Sequence, residues 1–196
     1  MMITIDLLRH GEPEGGRRYR GAMDDPLSEK GWQQMESAVD AAPSWQQIIT
    51  SPLSRCRDFS LYLSERYGIP VVEEPRFREV GFGDWEGLTA EQLRAQDSGC
   101  LRRFYHDPVA NLPPGAEELN SFMHRVTEAW EELLGRYSGR SLLIVSHAGV
   151  MRAIIAQLLG VPLKNIFRLQ IANAALVRVR GDGERPPALV LPAATP

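Results

Sequence analysis

Three short segments of the sequence place histidine and arginine beside glycine or serine. Residues 9–11 are Arg-His-Gly, residues 51–55 are Ser-Pro-Leu-Ser-Arg, and residues 146–149 are Ser-His-Ala-Gly. A neutral imidazole is a nucleophile, and a guanidinium group binds oxyanions through a planar fork of N–H donors. Two histidines and two arginines that converge would repel one another unless an anion neutralised them, and phosphate is the usual anion. The residue types therefore indicate phosphoryl chemistry.

Each segment follows a predicted β-strand. Short apolar runs predict buried strands over residues 3–8, 48–50, 69–72 and 141–145. Helical signals alternate with them, over residues 28–39, 53–67, 150–159 and a long amphipathic stretch that begins at residue 117. The alternation predicts an α/β fold, a three-layer α/β/α sandwich with a mostly parallel central sheet. Ligands of such sheets bind beyond the carboxyl ends of the strands, so we expect the three segments to meet there.

The remaining elements are a further helix and a C-terminal arm. Thr89 and Gln92 have the spacing of a capping box, which predicts a helix start at this point. Apolar residues over 174–180 and 188–191 flank a Gly-Asp-Gly turn and predict a hairpin. We therefore expect one domain over residues 1–180, followed by a hairpin arm or frayed tail over residues 181–196.

The composition is that of an ordinary soluble globular protein. The 196 residues are 43% hydrophobic and 24% charged, with a net charge of -3 at pH 7, which gives no reason to expect a nucleic-acid or membrane partner. The N-terminus has no basic segment followed by an apolar one, and no apolar run approaches the roughly 20 residues of a membrane span. Cys56 and Cys100 are too few for a disulfide framework. We expect a cytoplasmic protein that binds a small molecule, and no coiled coil or repeat indicates its oligomeric state.

The motifs resemble those of the histidine phosphatase superfamily, which includes the cofactor-dependent phosphoglycerate mutases. The resemblance covers residue 3 to about residue 179. It rests on Leu-Leu-Arg-His-Gly-Glu (7–12), Asp-Pro-Leu-Ser (25–28) with Gly31, Ser-Pro-Leu-Ser-Arg-Cys (51–56), Arg-Glu (78–79), Phe-Gly-Asp-Trp-Glu-Gly (82–87), Pro-Gly-Ala-Glu (114–117) and Val-Ser-His-Ala-Gly-Val-Met-Arg (145–152). As a set, these motifs are highly specific to the superfamily.

The resemblance implies a role for five residues. It makes His10 the nucleophile that accepts the phosphoryl group and Glu79 the proton donor to the leaving group. It assigns Arg9, Arg55 and His147 to the phosphate pocket. These roles have physical requirements. The nucleophile must be a neutral imidazole, which neighbouring cations keep unprotonated. The pocket must supply donors that neutralise the equatorial oxygens of the transferring phosphoryl group.

Two of these assignments have neighbours of the same type. Arg55 fits the family's Ser-x-Leu-x-Arg spacing, whereas Arg57 does not. Glu12, Asp84 and Glu86 are alternatives to the carboxylate that precedes the 82–87 stretch. The implied reaction is a two-step hydrolysis of a small phosphorylated metabolite that uses no cofactor and no metal ion.

The resemblance also separates possible activities. The chain is short for a mutase, and a carboxylate at Glu12 or Glu14 beside an acidic substrate would be repulsive, which favours a phosphatase over a phosphoglycerate mutase. Within the phosphatases it is similar to the α-ribazole phosphatases of cobalamin biosynthesis, and broad-specificity relatives share the same motifs. Trp85 and Trp32 are candidates for stacking on a base, with core packing as the alternative.

Two other function classes are compatible with parts of the sequence. A metal hydrolase would need clustered ligands, but His106 and His124 have no partner at ligand spacing. A non-catalytic module that binds phosphorylated ligands would be expected to lack one of the catalytic residues, and all of them are present. The sequence therefore favours a metal-independent phosphatase.

Overall fold

Six strands form one sheet in the described part of the molecule, which in this computed structural model is residues 2–39 and 43–191. The strands are β1 (Ile3–Arg9), β2 (Gln47–Thr50), β3 (Val71–Glu73), β4 (Ser141–Ser146), β5 (Leu176–Gly181) and β6 (Ala188–Val190), in the spatial order β3-β2-β4-β1-β5-β6. Strands β1 to β4 are parallel, whereas β5 pairs antiparallel with β1 and β6 antiparallel with β5. The predicted mostly parallel sheet is confirmed.

Helices follow most of the strands. They are α1 (Glu29–Ala38), α2 (Ser54–Tyr67), α3 (Ala90–Gln96), α4 (Cys100–His106), α5 (Leu119–Arg136) and α6 (Ala148–Leu159), with short 3-10 turns over Pro75–Phe77, Gly83–Trp85 and Leu163–Arg168. The Ser28 side chain caps α1 by accepting from the Gly31 N–H, and the predicted capping box of Thr89 and Gln92 opens α3. Within the described ranges, no helix has the length and hydropathy needed to cross a bilayer.

The two faces of the sheet each pack against helices and form two separate hydrophobic cores. Ile5 and Leu7 of β1 pack with residues of α5 and α6, such as Trp130. Leu8 of the same strand packs on the opposite face with residues of α1 and α2, such as Met35. Because successive side chains of a strand point to opposite faces, both faces of the sheet are covered by helices, as expected of an α/β/α sandwich.

Helices α3 and α4 belong to a third, smaller cluster, which the sequence predicts only in part. Thr89 marks the start of α3, but the chain turns at Asp97, whose carboxylate accepts from the Gly99 N–H, and then enters α4. Trp85 is buried in this cluster against Phe104. The tryptophan is therefore a packing residue, as is Trp32, which packs edge-to-face on Phe59 and Tyr62.

The C-terminal strands extend the sheet beyond β1. Strand β6 lies in the segment 181–196 that the sequence assigns to an arm, and it pairs with β5 as a hairpin. Residues 192–196 of that segment lie outside the described residues. The division of the chain at residue 180 stays a prediction.

The loop that follows β1 is held against the start of α1 by two glycines. A Cβ on Gly11 would overlap the carbonyl oxygen of Gly31, and a Cβ on Gly31 would overlap that of Glu12. The Ser28 N–H and hydroxyl also donate to the Glu12 carbonyl, at 2.9 Å each. This close backbone approach fixes the chain on either side of Gly11, and His10 is the residue directly before it.

Replacing Gly31 by alanine should therefore destabilise the protein, although alanine is the better helix former. We expect the free energy of unfolding to fall by about 1–3 kcal/mol because the added methyl group overpacks a backbone contact. Gly135→Ala in α5 is the matched control, since nothing lies within 4 Å of its added Cβ, and it should leave stability unchanged or raise it by up to about 1 kcal/mol. Urea denaturation of both variants measures this. Equal stability of the two would show that the contact is not a constraint.

Candidate active site

The three segments predicted to converge do so at the carboxyl edge of the sheet. The His10 N–H donates to the carbonyl oxygen of Ser146 at 2.9 Å, which joins the ends of β1 and β4. The Ser51 N–H donates to the Val145 carbonyl at 3.0 Å, which joins the ends of β2 and β4. The rings of His10 and His147 meet edge-to-face with their centroids 5.2 Å apart. The site is therefore built on neighbouring parallel strands, as the sheet topology requires.

His10 is buried in a single tautomer. Its Nδ1 lies 2.7 Å from the Gly11 carbonyl oxygen. A carbonyl oxygen only accepts, so Nδ1 carries the proton and Nε2 keeps its lone pair. Burial, with the charges of Arg55 and Arg9, holds the pKa of His10 well below its usual range. The imidazole is neutral and has a bare nitrogen, which is the form that attacks phosphorus.

His147 precedes α6 and is completely buried. Its Nε2 lies 2.7 Å from the Ser51 hydroxyl oxygen, and the Cys56 sulfur lies 3.7 Å from the same nitrogen. Burial, then the charge of Arg55, holds the pKa of His147 well below its usual range. The second histidine is therefore also neutral, and its ring is fixed by a serine of the β2 segment.

The two predicted phosphate-binding arginines are held by backbone carbonyl oxygens. Arg9 donates to the Ile171 carbonyl at 2.6 Å, and Arg55 donates to the Met23 carbonyl at 2.7 Å and to the Gly21 carbonyl at 3.4 Å. The Nε atoms of both arginines are buried and have no hydrogen-bond partner in the described part of the chain. Buried guanidinium donors without acceptors are costly, so this pair is suited to an oxyanion.

Glu79 lies at the N-terminus of α6. Its carboxylate accepts from the Gly149 N–H at 3.1 Å and from the Val80 N–H at 2.9 Å. A Cβ on Gly149 would overlap the carboxylate, so the glycine is required by this approach. The negative charge of Glu79 raises the pKa of Arg9, against the larger lowering by burial. The predicted acid, the nucleophile and the phosphate-binding groups therefore share one site.

The backbone that carries Glu79 is fastened to α5 by Arg125. This side chain donates to the Glu79 carbonyl at 3.2 Å and to the Arg78 carbonyl at 2.9 Å. Glu117 pairs with the same guanidinium at 2.7 Å and accepts from the Gly81 N–H at 3.2 Å. The Pro-Gly-Ala-Glu motif thus contributes a residue that holds the acid-bearing loop.

The alternatives left open by the sequence lie outside this cluster or have other partners. Arg57 is half-exposed and pairs with Asp58. The Glu12 carboxylate contacts the Lys30 ammonium at 2.9 Å, and Asp84 is exposed. The Glu86 carboxylate accepts hydrogen bonds from three backbone N–H groups. Arg55, whose charge acts on His10, and Glu79, whose charge acts on Arg9, are the ones that belong to the cluster.

The sequence of the chain matches a known protein family. The family model described as the histidine phosphatase superfamily (branch 1) matches residues 5–193 of the chain. This chain belongs to the histidine phosphatase superfamily. The family predicted from the motifs is confirmed, while the roles of single residues stay predictions.

Curated relatives within the superfamily carry several activities in their names. Phosphoserine phosphatase 1 of Hydrogenobacter thermophilus is 31% identical over 89% of this chain and 84% of its own length. Glucosyl-3-phosphoglycerate phosphatase of Mycolicibacterium vanbaalenii is 32% identical over 89% and 83%. A probable phosphoglycerate mutase of Serratia proteamaculans is 30% identical over 91% and 85%.

Solved structures of the superfamily match nearly the whole chain. Mycobacterial glucosyl-3-phosphoglycerate phosphatase in complex with VO3 is 29% identical, with a TM-score of 0.85 over 96% of this chain and 97% of that one. The α-ribazole phosphatase of Shigella flexneri is 27% identical, with a TM-score of 0.79 over 96% and 95%.

Several groups of this histidine phosphatase site are not singled out by the sequence. Ser51 belongs to a recognised motif, but its contact with His147 depends on two strand ends. Gly149 reads as a turn residue, whereas its role is to admit the Glu79 carboxylate. Arg152 lies three residues after Gly149 on α6, donates to the Leu169 carbonyl at 2.8 Å and packs over Phe167. Helical spacing alone would have placed it on the face that meets Glu79.

The buried neutral histidines predict a pH dependence of stability. The unfolded chain binds protons at His10 and His147 below about pH 6.5, whereas the folded protein does not, so the free energy of unfolding should fall as pH decreases from about 6.5. Each histidine contributes up to about 1.4 kcal/mol per pH unit. His10→Gln should reduce the slope measured by urea denaturation between pH 6 and 5, because one of these protons is removed. The exposed His124→Gln is the control and should keep the wild-type slope. An unchanged slope in His10→Gln would contradict the assignment of a neutral His10.

Proposed function

We propose that this histidine phosphatase superfamily member hydrolyses phosphomonoesters in two steps, with His10 as the phosphorylated nucleophile. The observation that carries the proposal is the state of His10. Its Nδ1 proton is held by the Gly11 carbonyl, so the bare Nε2 is left as the attacking atom. Arg9 and Arg55, whose charges act on His10, each have a buried Nε donor without an acceptor, which the phosphoryl oxygens would supply.

The first step transfers the phosphoryl group to the enzyme. His10 Nε2 forms a bond to phosphorus while the bond from phosphorus to the ester oxygen breaks, and Glu79 donates a proton to the departing oxygen. The arginines neutralise charge on the equatorial oxygens. The product alcohol leaves, and His10 carries the phosphoryl group.

The second step regenerates the enzyme. Water attacks phosphorus, the bond to His10 Nε2 breaks, and Glu79 accepts the proton of the water. Guanidinium and imidazole donors match the phosphoryl oxygens without a metal ion, so we propose a metal-independent reaction in which activity persists in the presence of a chelator.

The catalytic roles are tested by phosphoenzyme trapping. His10→Ala should form no acid-labile phosphoenzyme from a labelled phosphomonoester, because the attacking nitrogen is removed. Glu79→Gln should still bind inorganic phosphate but lower kcat by about 10²–10⁴-fold, since proton transfer is lost. Acid-labile label on His10→Ala would contradict the nucleophile assignment.

The phosphate pocket is tested by two arginines of the same helix. Arg55→Lys should weaken inorganic phosphate binding by at least about 10-fold, because lysine cannot reproduce the planar fork that the 21–23 carbonyls hold. Arg57→Lys is the matched control and should leave binding unchanged, since Arg57 is half-exposed and pairs with Asp58. Calorimetric titration with phosphate measures both. Equal effects of the two variants would remove Arg55 from the pocket.

The substrate we propose first is α-ribazole 5'-phosphate. The motifs and the compact length support it, together with the likeness to the Shigella flexneri α-ribazole phosphatase. A second candidate class is phosphomonoesters of hydroxy acids, favoured by the relatives named for phosphoserine and glucosyl-3-phosphoglycerate. The expected repulsion of such acids by Glu12 loses force, because Lys30 neutralises that carboxylate.

A kinetic panel separates these candidates and a mutase. Selectivity for α-ribazole 5'-phosphate over phosphoserine and p-nitrophenyl phosphate of more than about 10-fold in kcat/KM would support the first candidate. Preference for phosphoserine would overturn it in favour of the second. Bisphosphoglycerate-dependent exchange of phosphoglycerates would instead indicate a mutase. This must be measured, because a probable mutase is among the relatives of similar length. A chain that cleaves no phosphomonoester would be a binding module.

A further inference from the structure

Glu86 ties two loops together through its carboxylate. One oxygen accepts from the Ala22 and Phe82 N–H groups and the other from the Met23 N–H, each at 3.0 Å. A Cβ on Gly21 would overlap this carboxylate, so the segment 21–23 lies directly against it. Both oxygens of Glu86 are occupied by backbone donors. The carboxylate therefore bridges segment 21–23 and the loop that begins at Phe82.

The same segment holds Arg55 from its other side. The Gly21 and Met23 carbonyl oxygens accept from the Arg55 guanidinium. The Gly21 carbonyl and the Ala22 N–H belong to one peptide group, which lies between the guanidinium and the Glu86 carboxylate. A peptide group that donates to an anion becomes a better acceptor for a cation, because hydrogen bonds in series polarise one another.

The residue that follows this segment controls the start of the Arg55 helix. Leu53, at the N-cap of α2, has no side-chain capping bond. Asp24 supplies it, accepting from the Ser54 N–H at 2.6 Å and from the Ser54 hydroxyl at 2.8 Å. Segment 21–24 therefore contacts α2 at the turn that carries Arg55 as well as the guanidinium itself.

We propose that Glu86 is a positioning residue, which orients the Arg55 guanidinium toward the phosphoryl group by holding segment 21–23. The proposal rests on the proposed function, in which Arg55 binds that group. Its consequence is that loss of Glu86 weakens phosphate binding through Arg55 and not through general destabilisation.

The first test compares three carboxylate variants for inorganic phosphate affinity and for kcat/KM with p-nitrophenyl phosphate. Glu86→Ala should lower kcat/KM by about 10–100-fold, because a small displacement of a phosphate ligand has effects of this size. Glu86→Gln should be intermediate, since its remaining oxygen still accepts from some of the backbone donors. Asp182→Ala is the control: its carboxylate also accepts from two backbone N–H groups, but in the β5–β6 turn at the opposite edge of the sheet. It should keep wild-type activity.

The decisive test is a double-mutant cycle with Arg55→Ala. If Glu86 acts through Arg55, the effect of Glu86→Ala on phosphate affinity should shrink to less than about 3-fold once Arg55 is absent. The same loss in both backgrounds would overturn the proposal. Arg55→Ala with wild-type phosphate affinity would instead contradict the phosphate pocket itself. Should Glu86→Ala fail to fold by circular dichroism, the cycle is run with Glu86→Gln, for which full activity with unchanged phosphate affinity would also overturn the proposal.

Discussion

The hydrogen bond from His10 Nδ1 to the Gly11 carbonyl oxygen decides which nitrogen of the imidazole is available for chemistry. It depends on the chain direction after β1, which is set by the close approach of Gly11 and Gly31. Side chains larger than hydrogen at either position would move the carbonyl that holds the proton. A backbone contact between a loop and a helix start thereby governs the tautomer of the proposed nucleophile.

A second constraint is the concentration of positive charge around a buried imidazole. Burial lowers the pKa of His10 most, and the charges of Arg55 and Arg9 lower it further. Backbone carbonyl oxygens of residues 21, 23 and 171 hold the two guanidinium groups without cancelling their charge. Glu79 is the carboxylate set among them, at the N-terminus of α6, where it accepts from the Gly149 N–H. The result is a buried site in which two guanidinium groups and one carboxylate are each held by backbone partners.

The sequence predicts the fold and the residues that form the site. It predicts less well the contacts that position those residues. Apolar runs and their spacing indicate the strands, and parallel pairing then brings residues 10, 55 and 147 to one edge. The motif spacing selects Arg55 over Arg57, and their burial agrees with that choice. Glu86 and Gly149 could not be interpreted in this way, because their partners lie 63–64 and 70 residues away, in loops without a periodic pattern. The turn between α3 and α4 was missed for a related reason, since local propensity does not report where a side chain such as Asp97 bonds to the backbone.

The tautomer of His10 implies that its Nε2, and no other atom, carries the phosphoryl group during turnover. Rapid quenching of the enzyme with a phosphomonoester, followed by ³¹P and ¹⁵N NMR of the phosphohistidine, measures this directly. The structure predicts a single phosphohistidine at residue 10 with phosphorus bonded to Nε2. A phosphoryl group on Nδ1, on His147 or on a non-histidine side chain would contradict His10 Nε2 as the nucleophile.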